Sequence, residues 1–177
     1  VRFAKGVLAP KGHIYYPTSI GEVTDEKLVA AIRTGIKRNC RDMLRIPGGV
    51  AGAKGINYTA KNIRKWRDKL GERKAALYLG QIVRMQEEIG TGGGGFRYLY
   101  GAFLEEAAAI TGKDELLIVS EKITKAGDMW RDSAVQMAGI YKGRLSAQAD
   151  YNHCADILNQ ISVVEKEAFL QLDKIKI

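Results

Sequence analysis

Cysteine, proline and aromatic residues are scarce in this 177-residue sequence, with two Cys, three Pro and 8% aromatics. Cys40 and Cys154 stand alone on helix-like segments without CxxC spacing. That argues against a zinc site or a disulfide framework and suits a reducing cytoplasm, so a cytoplasmic protein is expected. No apolar run approaches the roughly 18 residues needed to span a membrane. The N-terminus also lacks the charged, apolar and small-residue order of a signal peptide. HExxH, ExxH and spaced Cys/His sets are missing, so no metal is expected. Strand-prone runs are confined to the first sixteen residues, which leaves a parallel sheet without material.

What remains is 46% apolar and 27% charged, enough for one globular domain with a core that needs no staples. The chain starts at Val1 without a Met, as expected of a piece cut from a longer protein. Residues 1–8 and 13–16 flank Ala9-Pro10-Lys11-Gly12, with Pro second and Gly fourth in a turn. They predict a β-hairpin. Two strands alone are marginal in water, so 1–20 is expected to be the remnant of an upstream domain's sheet. Residues 21–177 then form the helical domain.

Period and punctuation predict six helices there. Thr24 caps the first, which runs through Leu28, Ile32, Ile36 and Leu44 to Pro47. Residues 48–55 are expected to be a glycine-rich loop, with Thr59 opening a second helix and Ile56 stapling its start. A third follows through Leu77, Ile82, Val83 and Ile89. A fourth carries the stripe Phe96, Leu99, Tyr100, Phe103, Leu104 and Ala107 up to Gly112. Two long helices, about 114–141 and 146–174, are joined by a short connection and are therefore antiparallel neighbours. The expected fold is mainly α, a multi-helix bundle with no internal repeat.

Charge is uneven. Residues 1–76 hold 17 Lys/Arg against 6 Asp/Glu, and residues 77–177 hold 11 against 14. Clusters such as Lys37-Arg38, Lys61, Arg64-Lys65 and Arg73-Lys74 could attract an anionic partner. The simpler account is the solvated face of an amphipathic helix, since Ile63, Trp66 and Leu70 interleave the basic residues of 61–74. Attraction between the two halves of the chain is a third account.

Gly90-Thr91-Gly92-Gly93-Gly94-Gly95 formally satisfies GxGxxG, yet helix rather than strand precedes it, and no Gly-Lys-Ser/Thr follows. Neither a dinucleotide fold nor a P-loop fits, and no cofactor is expected. What remains is a helix start with free amides, no Cβ to obstruct approach, and Arg97 in the first turn. Gly92, Gly93, Gly94, Gly95 and Arg97 are the candidate ligand-binding residues, for a phosphate, carboxylate or oxyanion. Close interhelical packing is the alternative use of these glycines.

No catalytic residue is assigned. His153 and Cys154 are adjacent and so point about 100° apart on a helix, which suits a nucleophile pair poorly. Glu87-Glu88 and Glu105-Glu106 read as solvated faces or local pairs such as Arg84 with Glu88. Trp66, Trp130, Phe96, Tyr98 and Tyr100 could line a stacking platform, but helical spacing suits core, and RNA-binding signatures are absent.

The segment 90–109, with Lys54-Gly55-Ile56 and Trp66 upstream and Trp130-Arg131 downstream, resembles the helical domain of unknown function that follows the N-terminal domain in butirosin biosynthesis protein H-like proteins. The resemblance covers about 24–172. It implies an upstream papain-like domain holding a nucleophilic cysteine, and aminoacyl transfer from a carrier protein to an amine. Neither Cys40 nor Cys154 matches that nucleophile, and His13 aligns with no role. The chain is thus expected to be an accessory helical domain shaping an acyl or substrate cleft, not catalytic alone, beside a papain-like domain and an acyl carrier protein. The alternative is a stand-alone helical module for an anionic partner, an acidic carrier protein or nucleic acid, the latter less favoured. A homodimer through the long helices is a third expectation, and no membrane is involved.

Overall fold

Thr24 sets the start of α1 (Asp25–Leu44). Its hydroxyl accepts from the Lys27 amide at 3.4 Å, and Asp25 and Glu26 set negative charge against the positive end of the helix dipole. The computed structural model describes residues 16–19, 21–89 and 93–177. Apart from 16–19, the hairpin expected over 1–20 lies outside the described residues. These form six helices and no strand: α1, α2 (Gly52–Leu70), α3 (Glu72–Glu87), α4 (Gly93–Thr111), α5 (Glu115–Tyr141) and α6 (Gln148–Leu172). This is the mainly helical bundle that the periodicity predicts.

The two long helices form its axis. At about 1.5 Å per residue each is close to 40 Å long, and a short turn with Gly143 at φ 70° joins them. Cross-helix bonds run in opposite directions along the pair, Lys122 to Gln171 at 2.7 Å and Trp130 to Glu165 at 2.7 Å, so α5 and α6 are antiparallel. The Asp150 carboxylate accepts from the Ala147 amide at 2.8 Å and holds the start of α6.

Apolar side chains collect into two clusters along this hairpin. The first joins Ile32, Ile36 and Cys40 of α1, Leu104 of α4, Leu116 and Ile123 of α5, and Ala168 and Leu172 of α6. The second joins Ile56 and Ile63 of α2, Leu79 of α3, Met137 of α5, and Tyr151, Leu158 and Ile161 of α6. Each fully buried Leu or Ile contributes about 1.5–3 kcal/mol. Between the clusters lies the only stretch of the hairpin interior that carries a charge among the described residues, Glu165.

Three local expectations need correction. Residues 48–55 are only half loop, because α2 already starts at Gly52 and buries Ala53 and Ile56. Ile56 is therefore a core residue rather than a staple. Gly52 sits at φ 59°, where a Cβ would lie 2.4 Å from the Met43 carbonyl oxygen, and this close approach is what admits the early start. In α3, Leu77 faces solvent, as does Ile89 beyond its end, while Ala75, Leu79 and Gln86 take the buried positions. In α4, Phe96 and Leu99 of the apolar stripe are 51% and 66% exposed.

Substitution at glycine should separate close approach from mere flexibility. Gly52→Ala is expected to lower unfolding free energy by about 2–3 kcal/mol, combining backbone strain with overpacking. Gly35→Ala, in α1 with nothing within 4 Å of the new methyl, is expected to raise it by up to about 1 kcal/mol. Urea titrations followed by circular dichroism measure both.

Candidate functional site

α4 lies so close to α5 that a side chain at several positions would crowd its neighbours. A Cβ on Gly94 would sit 3.1 Å from the Gly127 carbonyl oxygen and 3.2 Å from Cγ of Arg131. One on Gly101 would sit 2.7 Å from Oγ1 of Thr124, and one on Gly127 3.0 Å from the Tyr98 ring. Of the candidate glycines, Gly92 lies outside the described residues, Gly93 opens α4, Gly94 packs on α5, and Gly95 has open space beside it.

Arg97 turns inward. Its Nε donates to Oε1 of Glu165 at 2.8 Å and its Nη2 to Oε2 at 3.1 Å, a two-point clamp on a carboxylate with no solvent exposure. Trp130 completes the group. Its Nε1 donates to the same Oε1 at 2.7 Å, and the guanidinium stands 5.1 Å from the indole centroid. The Glu165 oxygens thus accept three bonds from two side chains. α4, α5 and α6 each supply one member, and Gln86 of α3 ties to the α5 backbone there by donating to the Trp130 main-chain carbonyl at 2.7 Å.

Two cavities meet at Arg97. One of about 420 Å³ lies between α1, α4 and α6; Met43, Phe96, Leu99, Phe103 and Phe169 make it apolar, with Arg97 and Glu165 also lining it. Tyr100 stacks between Phe103 and Phe169 on this wall, at 5.5 and 5.8 Å. Burial pushes its phenol up to about 12, a rise that Asn39 opposes. The other cavity, about 370 Å³, lies on the α2 and α3 side, with Gly55, Thr59, Ile82 and Trp130 around it. A volume of this size suits a small ligand or the end of a larger one.

Other residues singled out in the sequence scatter. Cys40 and Cys154 are fully buried, and desolvation pushes their thiols up to about 11 and about 12, away from the thiolate that nucleophilic chemistry needs. His153 is exposed while Cys154 is buried, as their helical spacing requires, and His13 lies outside the described residues. Arg84 and Glu88 pair at 3.8 Å on the surface. Glu105 accepts from Ser120 at 3.1 Å. The aromatics divide: Phe96 and Tyr100 line one cavity, whereas Trp66 packs on Tyr78 and Tyr98 donates to Asp128 at 2.6 Å. No group of three His, Cys, Asp or Glu residues suited to a metal exists among the described residues.

Sequence reading misses Glu165. Its signal is present, because Glu165 occupies an apolar position of α6, four residues after Ile161 and three before Ala168. A carboxylate on a buried stripe asks for a cation, and Arg97 supplies it.

Residues 1–172 match the family model described as Domain of unknown function (DUF4872). The chain belongs to that family. The match includes α1 to α6, and with them all three members of the buried cluster in this DUF4872 domain. No curated protein and no solved structure matches the chain.

Breaking the cluster from one side should be costly. Glu165→Ala removes the carboxylate that accepts from both Arg97 and Trp130 and is expected to destabilise by about 3–5 kcal/mol. The double change Glu165→Leu with Arg97→Met removes both charges and is expected to recover most of that, as measured by denaturation of all three chains. Thiol chemistry offers an independent check. Iodoacetamide at about pH 8 should leave Cys40 and Cys154 unmodified in the native chain and alkylate both in urea, since thiolate is scarce well below the raised pKa values. Mass spectrometry reads the difference.

Proposed function

We propose that this chain is the accessory helical domain of a butirosin-H-like acyltransferase or cysteine-peptidase-like protein, and that it forms one wall of an acyl-binding cleft. The carrying observation is the apolar cavity between α1, α4 and α6, whose rim exposes Phe96 and Leu99 beside the buried Arg97–Glu165 pair. Exposed large apolar side chains around a concave site are a recognised mark of ligand binding. The segment 90–109 that resembles butirosin-H-like proteins supplies the cavity's α4 wall, and Trp130 of the downstream motif anchors its charged floor. In this assignment residues 1–20 belong to an upstream papain-like sheet, the reactive cysteine is on that domain, and the two buried thiols here are structural. The buried pair fixes the wall so that an acyl chain meets a preformed surface.

A second function class has its own observation. A groove of about 450 Å³ between α2 and α6 presents Lys54, Lys61 and Lys166, all exposed, with no carboxylate within 4 Å among the described residues. An acidic carrier protein or a nucleic acid would find complementary charge there. Steep loss of binding with salt, and loss on Lys61→Glu, would distinguish that role.

For the acyl cleft the readout is Trp130, which bonds to Glu165 of the cleft wall and is the one indole left once Trp66 is replaced by Phe. Titration with octanoyl-N-acetylcysteamine is expected to change its fluorescence saturably. Leu99→Asp, at an exposed rim position, should weaken binding at least about tenfold by placing a charge on the apolar wall. A flat titration, or full-length protein with an intact nucleophile that forms no acyl-enzyme with any thioester donor, would overturn the assignment.

A further inference from the structure

α3 starts without a side-chain cap. Its first flanking residue is Gly71, at φ 78°, and the first amide bonded within the helix is that of Ala75, to the Gly71 carbonyl at 3.0 Å. The amides of Glu72, Arg73 and Lys74 therefore precede the helical ladder, at the positive end of the helix dipole. Uncapped helix starts are common on surfaces. This one opens into a cavity of about 350 Å³ that Glu72 and Arg73 line together with Tyr141, Ser146 and Tyr151.

Tyr151 makes the site distinctive. It has no solvent exposure, it lines this cavity, and its hydroxyl has no hydrogen-bond partner. A phenol buried among Ile140 and Ala76 could be replaced by Phe at no cost unless the hydroxyl met something. Arg67, which pairs with Glu72 at 3.6 Å, also has a buried Nε without a partner. Arginine can only donate, so the group that satisfies it must accept. Tyr141 closes one side of this end of the bundle, its ring lying where a Cβ on Gly80 would stand, 2.4 Å away. Arg73 lines the cavity, and Lys69, Lys74, Lys142 and Arg144 are exposed on the segments that border it, the last two on either side of the lining residue Gly143. Glu72, partly offset by Arg67, and Asp150, whose carboxylate accepts from the Ala147 amide, are the opposing charges.

From these observations we infer that the cavity at the start of α3 binds the phosphate group of a small molecule. Amides at the helix start and Arg73 hold the phosphate oxygens, the Tyr151 hydroxyl donates from the buried wall, and the cationic rim draws the anion in. This site lies among α3, α5 and α6, with no lining residue in common with the acyl cleft, and stands whether or not that cleft binds acyl groups.

The test is a titration of the full 177-residue chain with inorganic phosphate at constant ionic strength, followed by amide nuclear magnetic resonance. Saturable shifts are expected at Glu72, Arg73, Lys74 and Ser146. Tyr151→Phe should weaken binding about fivefold and Arg73→Ala about tenfold, each near the loss of one charge-assisted hydrogen bond. Glu72→Gln, which removes the repelling carboxylate, should strengthen it. Both aromatic chains should show the same dispersed spectrum, so a folding defect is seen directly. The inference is overturned if shifts are linear and spread over Lys61 and Lys65, if chloride or acetate reproduces them at equal concentration, or if Tyr151→Phe binds phosphate as the parent does.

Discussion

One buried carboxylate organises this bundle. The α5–α6 hairpin is too long for a single apolar core with four short partners, and its interior divides into a cluster shared with α1 and α4 and another shared with α2 and α3. Glu165 stands at the division. Isolated in that setting an ionised carboxylate would cost far more than any one apolar contact returns. Arg97 and Trp130 must therefore reach it, and only one placement of α4 on α5 lets them do so. The pair adds little net stability over an apolar substitute of the same volume. What it adds is register, because sliding α4 by one residue would leave the charge unmatched.

The glycines follow from that constraint. For Arg97 to clamp Glu165 on α6 it must pass beside α5, which requires α4 and α5 to approach closely. Gly94, Gly101 and Gly127 are positions where a Cβ would crowd this interface, most closely at Gly101. The same approach turns Phe96 and Leu99 outward, since the face carrying Arg97 and Leu104 is the buried one. An exposed apolar rim beside a rigid charged floor is thus a consequence of packing α4 by its polar group, and the cavity lies between that rim and Asn39 and Met43 of α1.

Helix number, order and caps were legible because they depend on local chemistry: Thr24, Gly112 and the 3.6-residue stripes of α5 and α6 act over a few residues. The start of α2 was not. Gly52 and Gly55 read as loop, yet their missing side chains let the backbone pass the Met43 and Val50 carbonyls, a fold-back of the chain that apolar periodicity does not register. The site was legible by half. Arg97 stood out beside its glycines, whereas its partner lay 68 residues away, on a helix whose apolar run hid a lone acid. Tyr151 was invisible, since nothing in sequence tells a bonded phenol from an unbonded one.

The basic excess of the first 76 residues also divides in two. Part of it docks helices: Arg45 pairs with Asp173, and Arg64 with Asp156, each tying an N-terminal helix to acidic α6. Exposed pairs of this kind are worth at most about 1 kcal/mol each, so they select orientation while the two apolar clusters hold the helices in place. Other described cations of this stretch make no ion pair within 4 Å among the described residues. Lys54 and Lys61 along α2, and Arg73 at the start of α3, are exposed and line two of the concave places on the surface. Docking the helices alone would have needed a few arginines opposite α6. The surplus lysines raise the local potential without lowering the energy of the fold, which is the distribution expected when positive charge serves an anion from outside.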